Sequence, residues 1–183
     1  ILSRLMEVGV TPLVTERVSA PSALAVVSVD HNGEPNYGFY RENTADRQVE
    51  AQTLLEQIPE IITAFHFGSL TLSNPKDASV WLELVLALKQ HETFITLDPN
   101  VRPSLIDDWD TYRQSLNTAL SLCDVLKVSE VDLVELYPDC NPIDELRRLQ
   151  EEHHISLSIL TCGAQGSIAR TLDGVVSQAP ALP

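Results

Sequence analysis

From residue 51 to residue 160 the chain alternates short apolar runs with longer stretches in which apolar side chains recur every three or four positions. The runs at 64–67, 93–97, 125–128 and 156–160 have the length and the β-branched or aromatic content of strands. The stretches 51–63, 78–90, 109–123, 131–136 and 142–152 have helical spacing, and Pro142 suits a first helical turn. Short strands joined by helices predict right-handed crossovers, and so an α/β fold with a mainly parallel sheet flanked by helices. Two other patterns stand out. Residues 22–41 place β-prone runs on either side of His31-Asn32-Gly33-Glu34, and Asn-Gly supplies the left-handed residues of a tight hairpin turn. Runs at 167–171 and 175–178 flank Asp173-Gly174, which predicts a second hairpin at the sheet edge. No repeat or low-complexity linker intervenes, so residues 1–183 read as part of one domain.

Composition narrows the partners. The formal charge is −14 over 183 residues, with 44% hydrophobic positions. That much apolar content builds a core, while the acidic excess repels phosphate backbones, so neither nucleic acid nor an anionic membrane is an expected partner. Apolar runs such as 82–88 fall far short of the ~18 residues of a membrane span. Cys123, Cys140 and Cys162 form no CxxC pair, which argues against a disulfide framework or a structural zinc site and fits a reducing cytoplasm. The first residues carry no secretory pattern. Both ends read as cut from a longer domain.

In an open α/β sheet, ligands gather beyond the carboxyl ends of the strands. The four loops expected there are Gly68-Ser69, Asp98-Pro99-Asn100-Val101-Arg102-Pro103, Ser129-Glu130-Val131-Asp132 and Thr161-Cys162-Gly163-Ala164-Gln165-Gly166. All are polar or glycine-rich. Each also has a plain structural reading. The second is a turn stabilised by Asp and Asn, the third a helix cap with Ser129 first and Asp132 at the third helical position, and the fourth an ordinary strand-to-strand turn. Arg41 reads as an edge-strand charge. The histidines lack metal-site spacing, and Cys162 has no evident base. Neither GxGxxG nor the GxxxxGK[ST] loop occurs, which disfavours a nicotinamide-binding unit and a P-loop nucleotidase.

Taken together the loops resemble one family. The motifs are Gly9-Val10 with Val14-Thr15-Glu16-Arg17, Phe39-Tyr40-Arg41-Glu42 with Ala45-Asp46-Arg47, and Phe65-His66-Phe67-Gly68-Ser69, then residues 98–103, Lys127-Val128-Ser129-Glu130 and residues 161–166. In this order they resemble the PfkB carbohydrate kinases, which have the ribokinase-like fold, and within them the fructokinase branch. The resemblance implies that hairpin 22–41 belongs to a lid, which would also mediate a homodimer. It implies that Arg41 and Arg102 bind sugar, with Phe39 and Asn100 lining the same pocket, and that Lys127, Ser129, Thr161, Gly163 and Gly166 surround the phosphates and ribose of ATP. Asp132 stands where the family has the Glu of an Asn-x-x-Glu motif that organises Mg2+ through water, and Ser129 stands at the Asn position.

The implied chemistry is transfer of the γ-phosphoryl group of MgATP to a sugar hydroxyl, catalysed by positioning and charge neutralisation. Fructose is the expected sugar. Kinases of 2-dehydro-3-deoxygluconate, the second choice, tend to carry Tyr two residues before the lid Arg, where this chain has Phe39. The family's Gly-Ala-Gly-Asp base motif is expected beyond Pro183, and the first strands before Ile1. The competing expectation is a sugar- or nucleotide-binding chain without turnover.

Overall fold

Local chemistry sets most element boundaries in the computed structural model, which describes residues 2–29, 31 and 35–181. The chain divides into two units, Ile1–Ile62 and Thr63–Pro183.

In the first unit, strands β1 (Leu24–Val29) and β2 (Pro35–Tyr40) pair antiparallel, from Leu24 opposite Tyr40 to Val29 opposite Pro35. This is the expected hairpin; its Asn32-Gly33 turn lies outside the described residues. Every β1 position is exposed, including Val26 at 46% and Val27 at 53%. A two-stranded ribbon buries little by itself. Helix α1 (Leu2–Glu7) buries none of its residues, although Leu2, Leu5 and Met6 fall at helical spacing. Helix α2 (Ala51–Gln57) stops well short of residue 63. Ile58 precedes Pro59, whose ring disfavours the helical conformation in its neighbour, and Ile58 turns extended at ψ 136°.

The second unit is a six-stranded sheet of β3 (Ala64–Gly68), β4 (Phe94–Asp98), β5 (Val125–Ser129), β6 (Leu157–Thr161), β7 (Ser167–Thr171) and β8 (Val176–Ala179), in that spatial order. β3 to β6 run parallel, whereas β7 and β8 add antiparallel at the edge. The crossovers are α3 (Pro75–Gln90), α4 (Trp109–Leu122), and α5 (Glu130–Leu136) with α6 (Pro142–His153). α3 begins three residues before the expected 78, because Asn74 accepts the Lys76 N–H and Pro75 is preformed for the first turn. Asp108 and Asn141 cap α4 and α6 in the same manner.

Burial alternates along the central strands. Ile95, Leu97, Leu126, Val128 and Leu160 are at most 1% exposed, on one face that meets leucines of the helices. Each fully buried Leu or Ile contributes roughly 1.5–3 kcal/mol. Gln150 shows how a polar group is accommodated in this core. Gln150, fully buried on α6, donates to the carbonyls of Ile155 and Arg170 and accepts from Arg170 Nη1 at 2.6 Å, fastening the helix to β7. The alternate positions Asp98, Lys127, Ser129 and Thr161 lie on the other face, at or next to the carboxyl ends of their strands. Among the described residues no helix is long and apolar enough to cross a membrane.

Candidate active site

The loop after β4 is held from both sides. Gly68 ends β3 at φ 147°, and a Cβ there would stand 1.8 Å from the Asp98 carbonyl oxygen, so only glycine lets the two strand ends approach. Beyond it the Ser69 N–H donates to the Pro99 carbonyl at 3.0 Å, and Asn100 Nδ2 reaches Ser69 Oγ at 3.5 Å. Asn100 sits in the left-handed region at φ 40°, which Asn tolerates better than most residues. From the other side the Val101 N–H donates to Asp132 Oδ1 at 2.8 Å. Arg102 Nη1 donates to the carbonyls of Asn100 and Val101, at 3.3 and 2.9 Å. The plain-turn reading is therefore incomplete, since ties to β3 and α5 set the loop.

Lys127 is placed differently from the expectation. Its ammonium pairs with Asp98 Oδ2 at 2.9 Å, and it does not line the cleft described next. Register explains the pairing: Lys127 lies two residues before the end of β5, beside Asp98 on the neighbouring strand. The other Asp98 oxygen is buried without a hydrogen-bond partner.

Ser129 and Asp132 form a full capping box. Asp132 N–H donates to Ser129 Oγ at 3.0 Å, while Asp132 Oδ2 accepts from Ser129 Oγ at 2.7 Å and from Ser129 N–H at 3.2 Å. The cap does not exclude a ligand role, because Ser129 also lines a cleft of about 560 Å3 together with Glu130, Thr161, Cys162, Gly163 and Gly166. Four of the five residues expected around a nucleotide are thus brought together. Gly166 is at φ 92°, and a Cβ there would lie 2.0 Å from the Ala179 carbonyl, so this glycine lets β8 close over the loop. Gly163, at φ 51°, has nothing within 4 Å of where its Cβ would be. The turn 163–165 uses the N–H groups of Gln165 and Gly166 internally; the first N–H groups of such a turn have no intrahelical acceptor and suit an anion. Cys162 is 8% exposed. Burial, together with the nearby Glu130 charge, pushes its thiol above the usual range, which makes it a poor nucleophile near neutrality. Glu130 and Ser167 are cleft residues to which the sequence assigned no role.

In the first unit, Arg41 Nε and Nη2 both reach Asp46 Oδ2 at 2.8 Å, and Thr44 Oγ1 donates to the Arg41 carbonyl at 2.9 Å. The Arg41 side chain is only 10% exposed. Phe39 stacks on Tyr37 with ring centroids 6.1 Å apart.

Both oxygens of Asp132 already accept N–H or O–H donors, the residue is 6% exposed, and among the described residues no group of three or more His, Cys, Asp or Glu gathers around a common point. Asp132 therefore does not fit direct ligation of Mg2+; the role the resemblance implies is through water, for which Oδ1 keeps a second acceptor site.

A sequence profile described as pfkB family carbohydrate kinase matches residues 1–183. The chain belongs to this family. Among pfkB relatives, the probable fructokinase-6, chloroplastic, of Arabidopsis thaliana is 29% identical over 156 residues, covering 84% of this chain and 40% of the relative. A fructokinase of Rhizobium leguminosarum bv. trifolii is 30% identical over 157 residues, covering 86% and 47%. The chain thus spans about half the length of the curated relatives it matches. A crystal structure of fructokinase with bound ATP from Xylella fastidiosa superposes at TM-score 0.82 with 24% identity, covering all of this chain and 56% of that one. A putative ribokinase II from E. coli, solved with ATP and Mg2+, superposes at TM-score 0.78 with 22% identity, covering 100% and 57%. The fold of this pfkB chain is ribokinase-like.

Proposed function

We propose that the protein is an ATP-dependent sugar kinase, acting on fructose in a reducing cytoplasm. The observation that carries this reading is the cleft. In a chain matched end to end by the pfkB family, Ser129, Thr161, Gly163 and Gly166 meet at the carboxyl edge of a parallel sheet, where ligands of α/β sheets gather. The loop with Asn100 and Arg102 is anchored at the end of the neighbouring strand β4, between β3 and α5. In this reading the nucleotide phosphates lie over the turn 163–165, and Glu130 accepts from a nucleotide hydroxyl. Arg102 and Asn100 hold the sugar by charge-assisted and neutral hydrogen bonds, as does Arg41, whose fork Asp46 keeps oriented. Lys127 acts through Asp98 rather than on the nucleotide. The work of this chain is positioning, which supplies much of the rate in phosphoryl transfer. When bound, Mg2+ neutralises phosphate charge, and it would arrive with the nucleotide. We assign the proton-accepting base to none of the described residues. The exposed apolar β1–β2 ribbon supports self-association through the lid.

An ADP-release assay with fructose and with 2-dehydro-3-deoxygluconate tests the reading. Fructose-dependent turnover is expected. Turnover of the acid sugar alone transfers the assignment to that substrate, and sugar-dependent thermal stabilisation without turnover establishes a binding protein instead. Phe39→Tyr is expected to raise turnover of the acid sugar relative to fructose; an unchanged ratio removes Phe39 from the pocket.

A further inference from the structure

We propose that Asp132 is a positioning residue that locks the sugar loop to the nucleotide loop. The inference rests on the kinase reading for its functional consequence but on geometry for the lock itself. One carboxylate spans two loops 31 residues apart in sequence. Oδ1 takes the Val101 N–H at 2.8 Å, between Asn100 and Arg102, while Oδ2 takes the Ser129 N–H and hydroxyl at the cleft. Ordinary capping boxes place Glu or Gln at this helical position and reach only back to the cap. The shorter Asp, 6% exposed, turns its second oxygen outward to β4's loop instead. Val101 is 5% exposed, so an N–H there without an acceptor is penalised in full. A carboxylate is also the only side chain able to accept from both loops at once: Asn offers one oxygen and a donor, and the donor meets an N–H or O–H on whichever side it faces. Two sites joined by a strut of this kind are coupled, and the coupling is reciprocal. Ordering the nucleotide loop orders the sugar loop, and the reverse.

The test compares the protein with its Asp132→Asn and Asp132→Glu variants by amide hydrogen exchange and by steady-state kinetics. In Asp132→Asn, exchange at Val101 or Ser129 is expected to quicken by roughly 10- to 100-fold, the loss of a hydrogen bond to a charged group, with Phe67 unchanged. The KM for sugar and for ATP rise together, and the Mg2+ midpoint stays put. Asp132→Glu keeps the charge but lengthens the arm, so it serves if the Asn variant does not fold; Val101 exchange and sugar KM should rise in it too. Unchanged Val101 and Ser129 exchange in the variants overturns the lock. So does a raised Mg2+ midpoint with unchanged sugar KM, which is the metal signature. The exchange arm needs no turnover, so a protein that phosphorylates no sugar would sink the kinase reading while still reporting on the strut.

Discussion

The two units of the chain are ordered by different means. In Ile1–Ile62 the described residues bury only Thr44 and Ala51, and the β1–β2 ribbon shows valines on both faces to solvent. In Thr63–Pro183 each parallel strand carries a side chain at 4% exposure or less, and the loops at the strand ends are tied by several bonds apiece. A packed sheet holds its loops at fixed positions, whereas a thin ribbon is followed by a short polar turn that holds Arg41 against Asp46. The chemistry follows the same division. The groups proposed to surround phosphates sit on the packed unit. The arginine expected to reach for sugar sits on the thin one.

The strongest blow to that contrast falls at Gly68. A methyl at 1.8 Å from the Asp98 carbonyl cannot be absorbed by a side chain turning away, because the obstacle is backbone. Gly68→Ala is expected to lower the unfolding free energy by roughly 3–5 kcal/mol, combining overpacking with an unfavourable backbone region. Urea unfolding reads the loss, and hydrogen exchange in β1 and β2 should stay at its starting value. A change under about 1 kcal/mol would show that the strand ends move apart freely and that the packed unit is less fixed than described.

Gly163 tests the same unit where it is open. Its backbone is left-handed, yet no atom stands within 4 Å of a new Cβ. Gly163→Ala should therefore cost only the backbone preference, about 1–2 kcal/mol, while raising the KM for ATP by placing a methyl in the cleft. A variant with the stability loss and an unchanged ATP KM would move the nucleotide elsewhere.

These two glycines also mark how far the sequence could be read. The strands at 64–67, 93–97, 125–128 and 156–160 were legible because their apolar runs match short buried strands, and with them came the carboxyl-edge loops, so the segments that carry the cleft residues Ser129, Thr161, Gly163 and Gly166 could be located without coordinates. Pairings across the sheet could not. The resemblance implies that Lys127 lies near the nucleotide; its ion pair with Asp98, 29 residues earlier, comes from the register and could not be read locally. Asp132 read as a cap and, by resemblance, as a residue that organises Mg2+ through water; the structure shows the cap and a bond to Val101, and nothing in the local spacing reveals that second bond. Helix α2 was overextended because its periodicity runs through Pro59, although the rule that shortens it was visible in the sequence.

The smallest effect is expected in the thin unit, at Asp46. Burial alone would raise its carboxyl, but hydrogen bonds from Thr44 and Arg41 and the Arg41 charge outweigh burial and hold it below the usual range. A folded value below the unfolded one, near 3.9, stabilises the folded state above that unfolded value. The contribution is lost as pH falls through the folded value. Asp46 is 38% exposed, so solvent screens the pair and Asp46→Asn should remove less than about 1 kcal/mol at neutral pH. The informative reading is the shape of the acid limb. In urea midpoints followed from about pH 6 to pH 2, the Asn variant should lose part of the slope below pH ~4 while its neutral stability barely moves. Identical limbs in the two proteins would mean that Arg41 is held by something other than Asp46, and that the thin unit is not ordered by its polar turn.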